Sequence, residues 1–580
     1  MSTKKSILDL PILHKFLGTD PNKKDEMQPK EALGYSFAGF GQNIICQLVT
    51  TFFMVYLTDV AMIPPMWLAF MFLGARLFDA FNDPIMGSIV DRTKTKWGKM
   101  RPYLLYAPIP IGIFTVLLFT TFSTNIKVQF VISTIIYLCW GISYTIVDVP
   151  YWGLSSAMTK DGDQRNTLLT VARLICTIGS GVVSIIIPAV TDAVDPSAYK
   201  TAYLIIAIVS VLVALPTFFV GFKSTTERYY DEEANKTSLG KSLKLLFKNK
   251  PLLLLILVGV LGGLRTIYMT TTIYYANYNL MNLSLAGVIF LLVVPGGLAA
   301  TLLTPVLSKK FGKKNVFIWS HIIGGLLLVL LYFIGRSSNG TSPVSQVFFY
   351  IIIIIAGVPS GFSNILTYAM IADSIDYLED KTGERAEGIC FAMQTFISKI
   401  GMALTAFVTL MVLGEFGYDQ SFLEAFQSGI KADAFDVAAN GVIQVDLTKF
   451  DISQLHTGEG EAMTVEVFKG MYSKVCEGTW LATTLLCGAS MFACIIPLFF
   501  YKFDEKAQAE AVARVAARKA VIAEQNTVEE VTADAEVVAE VASETAAEET
   551  AQVVDAEVVA ETADEEVVSE TEVQDDKDKQ

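Results

Sequence analysis

The sequence predicts an all-α membrane protein: twelve transmembrane helices in two six-helix halves, with both termini cytoplasmic. Composition, the number of apolar runs and the placement of basic residues predict it. The 580 residues are 52% hydrophobic and 18% charged, with a mean hydropathy of +0.48. A soluble domain carries about 25% charged residues. The formal net charge of −14 lies in the tail: residues 502–580 hold 23 Asp+Glu against 7 Lys+Arg, and the first 501 residues carry +2. An apolar, near-neutral body excludes a nucleic-acid binder, a soluble enzyme and a disulfide-stapled secreted domain. The seven cysteines lie in or beside apolar runs without CxxC spacing, and read as packing residues. The first apolar run begins near Tyr35, behind a lysine-bearing arm, too late and too long for a cleaved signal peptide.

A hydrocarbon core needs roughly 20 apolar residues per helix. Twelve runs qualify: 36–58, 66–90, 102–122, 128–153, 167–191, 201–222, 251–278, 286–308, 316–335, 344–373, 389–415 and 477–501. A basic stretch, 223–250, divides them six and six. With the N-terminus inside, the inner segments hold 33 of the 44 Lys+Arg, the outer segments 7, and the spans Arg76, Arg173, Arg265 and Lys399. Cytoplasmic loops are enriched in Lys and Arg, so both ends are inside. The predicted organisation is an N-terminal arm (1–33), a first bundle (34–222), a central cytoplasmic loop (223–250), a second bundle (251–501) and an acidic tail (502–580). This is the architecture of a major facilitator fold, which binds its substrate near the bilayer midplane between the halves. The basic, glycine-bearing loops 91–99 and 308–314 echo one another weakly, which supports a duplication.

Two segments are additional. The outer loop 416–475 is weakly patterned and reads as a small cap or as disorder. The tail repeats Asp534–Glu540 at Asp555–Glu561, and its acidity reads as disorder after a short helix over 504–525. The tail has no histidine, so it is not a His-phosphorylated regulatory domain.

Ionisable residues inside a membrane cost on the order of 2.5–3.5 kcal/mol and mark function by default. Helix 2 carries Arg76, Asp79, Asn82 and Asp83. Asp79 and Asp83 are i,i+4 and share a face. Two carboxylates on a cavity offer oxygen ligands to a small cation such as Na⁺, or share a proton. Helix 4 carries Tyr144, Thr145, Asp148 and Trp152, with Thr145 placed to add an oxygen to the cation. Asp148 and Trp152 suit a sugar: the acid accepts hydroxyl hydrogen bonds and the indole packs on the C–H face. Arg173 on helix 5, and Gln394, Thr395 and Lys399 on helix 11, complete the set; Arg265 stands on helix 7. A brace between helices is the competing reading of any single pair. Convergence from four helices favours a site. Trp140 and Trp480 read as packing or interface residues, and His14, His321 and His456 as incidental.

The stretch Asp83-Pro-Ile-Met-Gly-Ser-Ile-Val-Asp91-Arg-Thr-Lys-Thr-Lys-Trp97-Gly98-Lys-Met-Arg101-Pro102 closely resembles the signature of the glycoside–pentoside–hexuronide:cation symporters of the major facilitator superfamily. Arg76–Asp83, Tyr144–Trp152 and Lys381–Gly388 agree with it, and the resemblance runs from about Gly34 to Tyr501. The resemblance implies a cation site at Asp79, Asn82, Asp83 and Thr145. It implies sugar contacts at Asp148, Trp152, Arg173, Gln394 and Thr395, with Lys399 as the balancing charge; Tyr144 of helix 4 is a further candidate contact. The family's melibiose carriers have a Lys-Asp pair in helix 1, where Gln42 and Asn43 stand here, and a helix 10 tryptophan, where Asn364 stands here. Asn43 still offers a hydrogen bond to a sugar. Loss of that acid, with Arg265 gained, is compatible with an anionic sugar such as a hexuronide.

The expected function is therefore import of a sugar coupled to Na⁺ or H⁺, with no cofactor, no enzymatic chemistry and no nucleic-acid partner, in a bacterial-type inner membrane. Asp91 and Arg101 are the expected gating pair of the inner loop. A carrier of lipid-like amphiphiles on the same scaffold, and a transport-dead nutrient sensor signalling through the tail, are the alternatives.

Overall fold

A computed structural model describes residues 26–159, 161–229, 239–384, 387–437, 443–458, 460–521 and 525. The tail repeats and most of the N-terminal arm lie outside them. Among the described residues twelve long helices cross: α1 (Pro29–Val60), α2 (Pro65–Arg92), α3 (Arg101–Leu118), α4 (Ile126–Met158), α5 (Gly162–Asp192), α6 (Pro196–Ser224), α7 (Lys250–Leu261 and Gly263–Asn279), α8 (Leu285–Phe311), α9 (Lys313–Ser338), α10 (Pro343–Thr382), α11 (Glu387–Glu415) and α12 (Val465–Phe500). Ten of these pass on length and apolarity alone, and α7 is the eleventh if its 45° bend is one span. The twelfth, α2, carries the Arg76, Asp79 and Asp83 charges in its middle.

Local chemistry sets several ends. Asn125 starts α4 by accepting from the N–H groups of Lys127 and Val128. Gln28 and Glu31 form a reciprocal cap at the start of α1. Small residues then let helices touch, as membrane packing favours. A Cβ at Gly41 of α1 would run into Thr217 Oγ1 of α6 and lie 2.8 Å from Ala214 O. A Cβ at Gly287 of α8 would lie 3.1 Å from Ile185 Cα of α5. The α5–α8 and α2–α11 pairs join the halves.

Several elements sharpen or extend the sequence reading. The outer segment is folded: a helix Gln420–Lys431, an antiparallel hairpin of β1 (Phe435–Val437) and β2 (Ile443–Val445), then the start of α12. The last helix begins at Val465, twelve residues before the apolar run, because its first turns pack Phe468 and Tyr472 on Phe422, Phe426 and Phe435 of the outer segment. An amphipathic helix, Leu239–Lys248, lies in the central loop. Trp140 and Trp480 are packing residues, 2% and 1% exposed, donating to Thr115 Oγ1 and Tyr332 O.

Residues 379–383 and, among the described residues, 506–521 form a separate compact unit. Within it Arg514 donates twice to Asp380, both at 3.0 Å, and Lys519 pairs with Glu379 at 2.7 Å.

Candidate functional site

The membrane-embedded charges gather in two adjoining clusters. In the first, Arg76 Nη1 donates to Asp79 Oδ2 at 3.3 Å along α2. The other Asp79 oxygen faces α4 where Gly141 stands; a Cβ there would lie 3.0 Å from Oδ1. Glycine at 141 thus makes room for the carboxylate. One turn on, Asp83 Oδ1 accepts from Thr145 Oγ1 of α4 at 3.2 Å. Its other oxygen pairs with Lys399 Nζ of α11. Asp83 therefore ties α2 to α4 within the first half and to α11 of the second. The Asp83 and Lys399 side chains are 21% and 17% exposed, so the pair is only partly screened. Asn82 Nδ2 is buried beside them without a hydrogen-bond partner.

The second cluster centres on Asp148. Its Oδ1 accepts from Trp152 Nε1 at 3.1 Å and from Gln42 Nε2 at 2.5 Å. Gln42 also reaches Tyr144 Oη at 3.3 Å. The Arg173 guanidinium of α5 sits over the Trp152 ring at 5.3 Å, a cation–π geometry. Tyr144 stacks on Trp140 at 5.0 Å, which fixes its ring. Gln42 Oε1 and Gln394 Oε1 are buried without partners. Buried polar atoms are normally hydrogen-bonded, so these two amide oxygens keep their accepting capacity unused.

The structure thus assembles Asp79, Asp83, Thr145 and Lys399 in one cluster and Tyr144, Asp148, Trp152 and Arg173 in the other. Thr395 on α11 is exposed. Asn43 is turned away: its Nδ2 donates to Gly39 O at 3.0 Å and its Oδ1 accepts from Ser180 at 3.4 Å. Gln42, the residue before it, takes the place expected for Asn43. Arg265 lies in the 3₁₀ break of α7, Gly263–Thr266. Its Nη1 donates to Gly262 O at 2.8 Å, and Nε is buried without a partner.

The inner loop has an anchor the sequence reading missed. Glu227 accepts from the backbone N–H groups of Lys99, Met100 and Arg101 at 2.8, 2.8 and 2.6 Å, capping the start of α3. Arg101 donates to Phe222 O at 2.8 Å and lies over the Phe222 ring. The side chain of Asp91 lies outside the described residues. Glu227 has no distinguishing local signal: it is one of four acids in the central loop, with Asp231, Glu232 and Glu233.

Comparison with known proteins agrees with this architecture. Residues 34–438 match the family described as MFS/sugar transport protein, the match ending inside the folded outer segment. The chain is 29% identical over 403 residues to the isoprimeverose transporter of Lactiplantibacillus pentosus, spanning 69% of this chain and 82% of that one. It is 30% identical over 393 residues to the glucuronide carrier protein homolog of Escherichia coli, spanning 67% and 83%. Among solved structures, the nucleoside transporter NupG superposes with a TM-score of 0.53 at 15% identity, over 81% of this chain and 100% of that one, a likeness of fold alone. The protein is a multi-pass membrane transporter and not an enzyme; the chain belongs to the MFS/sugar transport family, within the glycoside–pentoside–hexuronide group of the major facilitator superfamily.

Proposed function

We propose that the protein imports a sugar of the glycoside, pentoside or hexuronide class, coupled to Na⁺ or H⁺ by alternating access. The observation that carries this reading is the adjacency of the two clusters between the halves. One is a carboxylate pair with a hydroxyl and a competing ammonium. The other is a carboxylate, an indole and a guanidinium.

Asp79 and Asp83 take the coupling cation, with Asn82 and Thr145 adding neutral oxygens. With no cation bound, Lys399 supplies the positive charge Asp83 needs. An arriving cation replaces that ammonium and loosens the tie between α2 and α11. Asp148 accepts sugar hydroxyls once Gln42 swings aside, and Trp152 packs on the sugar's C–H face. Among the described residues Arg173 has no carboxylate within ion-pair distance. It is available to a sugar hydroxyl or to an acidic group on the sugar. Tyr144, beside Asp148, and Gln394 and Thr395 of α11 add hydroxyl and amide partners for the sugar. Because cation and sugar bind one state, each raises the other's affinity by the same factor.

The test is uptake into proteoliposomes with labelled neutral glycosides, pentosides and hexuronides, each with and without a Na⁺ gradient or a pH gradient. Accumulation of one sugar class under one gradient supports the reading. Accumulation of an amphiphile, with no sugar carried under either gradient, overturns it.

A further inference from the structure

The outer ends of the two halves meet at one buried carboxylate that the transport site does not use. Asp59, at the outer end of α1, is 7% exposed. It accepts from Thr58 Oγ1 at 2.5 Å, from Tyr278 Oη of α7 at 2.9 Å, and from the hydroxyl of Tyr418 in the outer segment. The Tyr278 and Tyr418 hydroxyls also touch at 2.9 Å. Beside them Thr58 Oγ1 lies 3.1 Å from Tyr274 Oη of α7. Gln427, on the helix Gln420–Lys431, donates to the Asp59 backbone carbonyl at 2.6 Å. Among the described residues no Lys, Arg or His lies within ion-pair distance of Asp59.

We propose that the described residues of 416–475 form an extracellular lid, latched over the outer mouth by Asp59, Tyr278 and Tyr418. The lid is seated on the second half by aromatic packing: Tyr278 lies 4.8 Å from Phe426 and 5.6 Å from Phe422, and Tyr472 Oη donates to Tyr278 O at 2.6 Å. It reaches the first half at Asp59, through Tyr418 and Gln427, and rests against Pro196–Ala198 at the start of α6. When the halves part on the outside, the lid travels with α7 and α12, and the hydrogen bonds to Asp59 are what must break.

The chemistry suits a latch that opens. A carboxylate held only by hydroxyl donors exchanges them for water without leaving a second charge unpaired. A half-open state, with the carboxylate neither bonded nor wet, is disfavoured, because an unsatisfied buried group carries its full desolvation cost. The lid therefore works between two states. Asp59 is a gating residue and makes no contact with the transported sugar. The inference rests on the two halves opening and closing, not on which sugar is carried.

The test is a distance measurement between spin labels on the full chain, with the seven native cysteines replaced. Labels at Lys127→Cys in the first half and Leu447→Cys in the lid occupy exposed positions. The Tyr418→Phe change removes one hydroxyl and keeps the ring; Asp59→Asn removes the charge. The expected result is a longer-distance component that grows roughly tenfold in each variant, as the loss of a hydrogen bond to a charged group requires. An unchanged distance distribution in folded Tyr418→Phe protein overturns the proposal. So does a lower melting temperature with no longer-distance component, because that is the mark of a structural brace.

Discussion

Removing the Lys399 ammonium separates a site built to exchange cations from a fixed ion pair. Lys399 pairs with Asp83 in the structure, and in the proposed cycle an incoming cation competes with it for that carboxylate. Two unit charges about 4 Å apart interact by about 4 kcal/mol at an effective dielectric near 20. The two side chains are 17% and 21% exposed, so solvent screens part of this. About 1.5–3 kcal/mol of competition remains, or roughly 10- to 100-fold in affinity. Lys399→Ala should therefore bind the coupling ion roughly 10- to 100-fold more tightly. Titration of purified protein with Na⁺ and Li⁺, followed by calorimetry at about pH 8 to limit competition from protons, reads this directly. Lys399→Arg should keep the competition. Unchanged or weaker ion binding by Lys399→Ala refutes the exchange, and leaves the pair as a brace between α2 and α11.

Asp79→Asn and Asp83→Asn should each abolish concentrative uptake while leaving sugar binding measurable; full accumulation by both variants contradicts the coupling scheme. Gly141→Ala places a methyl 3.0 Å from Asp79 Oδ1 and should weaken ion binding, whereas Gly74→Ala, with nothing within 4 Å, should not; equal ion affinities would remove Gly141 from the argument. Gly41→Ala should cost about 1–3 kcal/mol by wedging α1 from α6, read as a lower melting temperature. Glu227→Ala leaves three N–H groups at the start of α3 without their acceptor, and should cost about 1–3 kcal/mol and speed proteolysis of the loop 91–101.

The apolar runs reveal where the chain meets lipid, and helices that leave the lipid outrun them. The apolar run places α10 over 344–373, yet the helix continues to Thr382, through Asp373, Asp376, Glu379 and Asp380 on the cytoplasmic side. The run for α3 reaches 122, yet the helix ends at Leu118; Phe119 and Phe122 are apolar, but the Gln129 side chain accepts from the N–H groups of Phe122 and Ser123 in a turn. Charges within spans are legible because an ionisable side chain in lipid is too costly to keep without a partner or a task. The shared face of Asp79 and Asp83 follows from helix spacing, and Thr145 and Lys399 meet it from α4 and α11. Gln42 is harder to see, because a neutral amide in a glycine-rich helix carries no energetic signature until its partner is in place. Asp59 falls one residue beyond the expected first span, and nothing local distinguishes it from a loop acid. Its role comes from Tyr278 and Tyr418, 219 and 359 positions along the chain, a separation that no periodicity in one sequence reports.

The central claim is that the carboxylate pair of α2 couples ion movement to sugar movement. Its most direct measurement is labelled-sugar uptake by proteoliposomes of the native protein and of Asp83→Asn, each under an imposed ion gradient. Native protein should accumulate sugar above its outside concentration, and Asp83→Asn should only equilibrate it. Gradient-driven accumulation by Asp83→Asn, at the native level, would contradict the account.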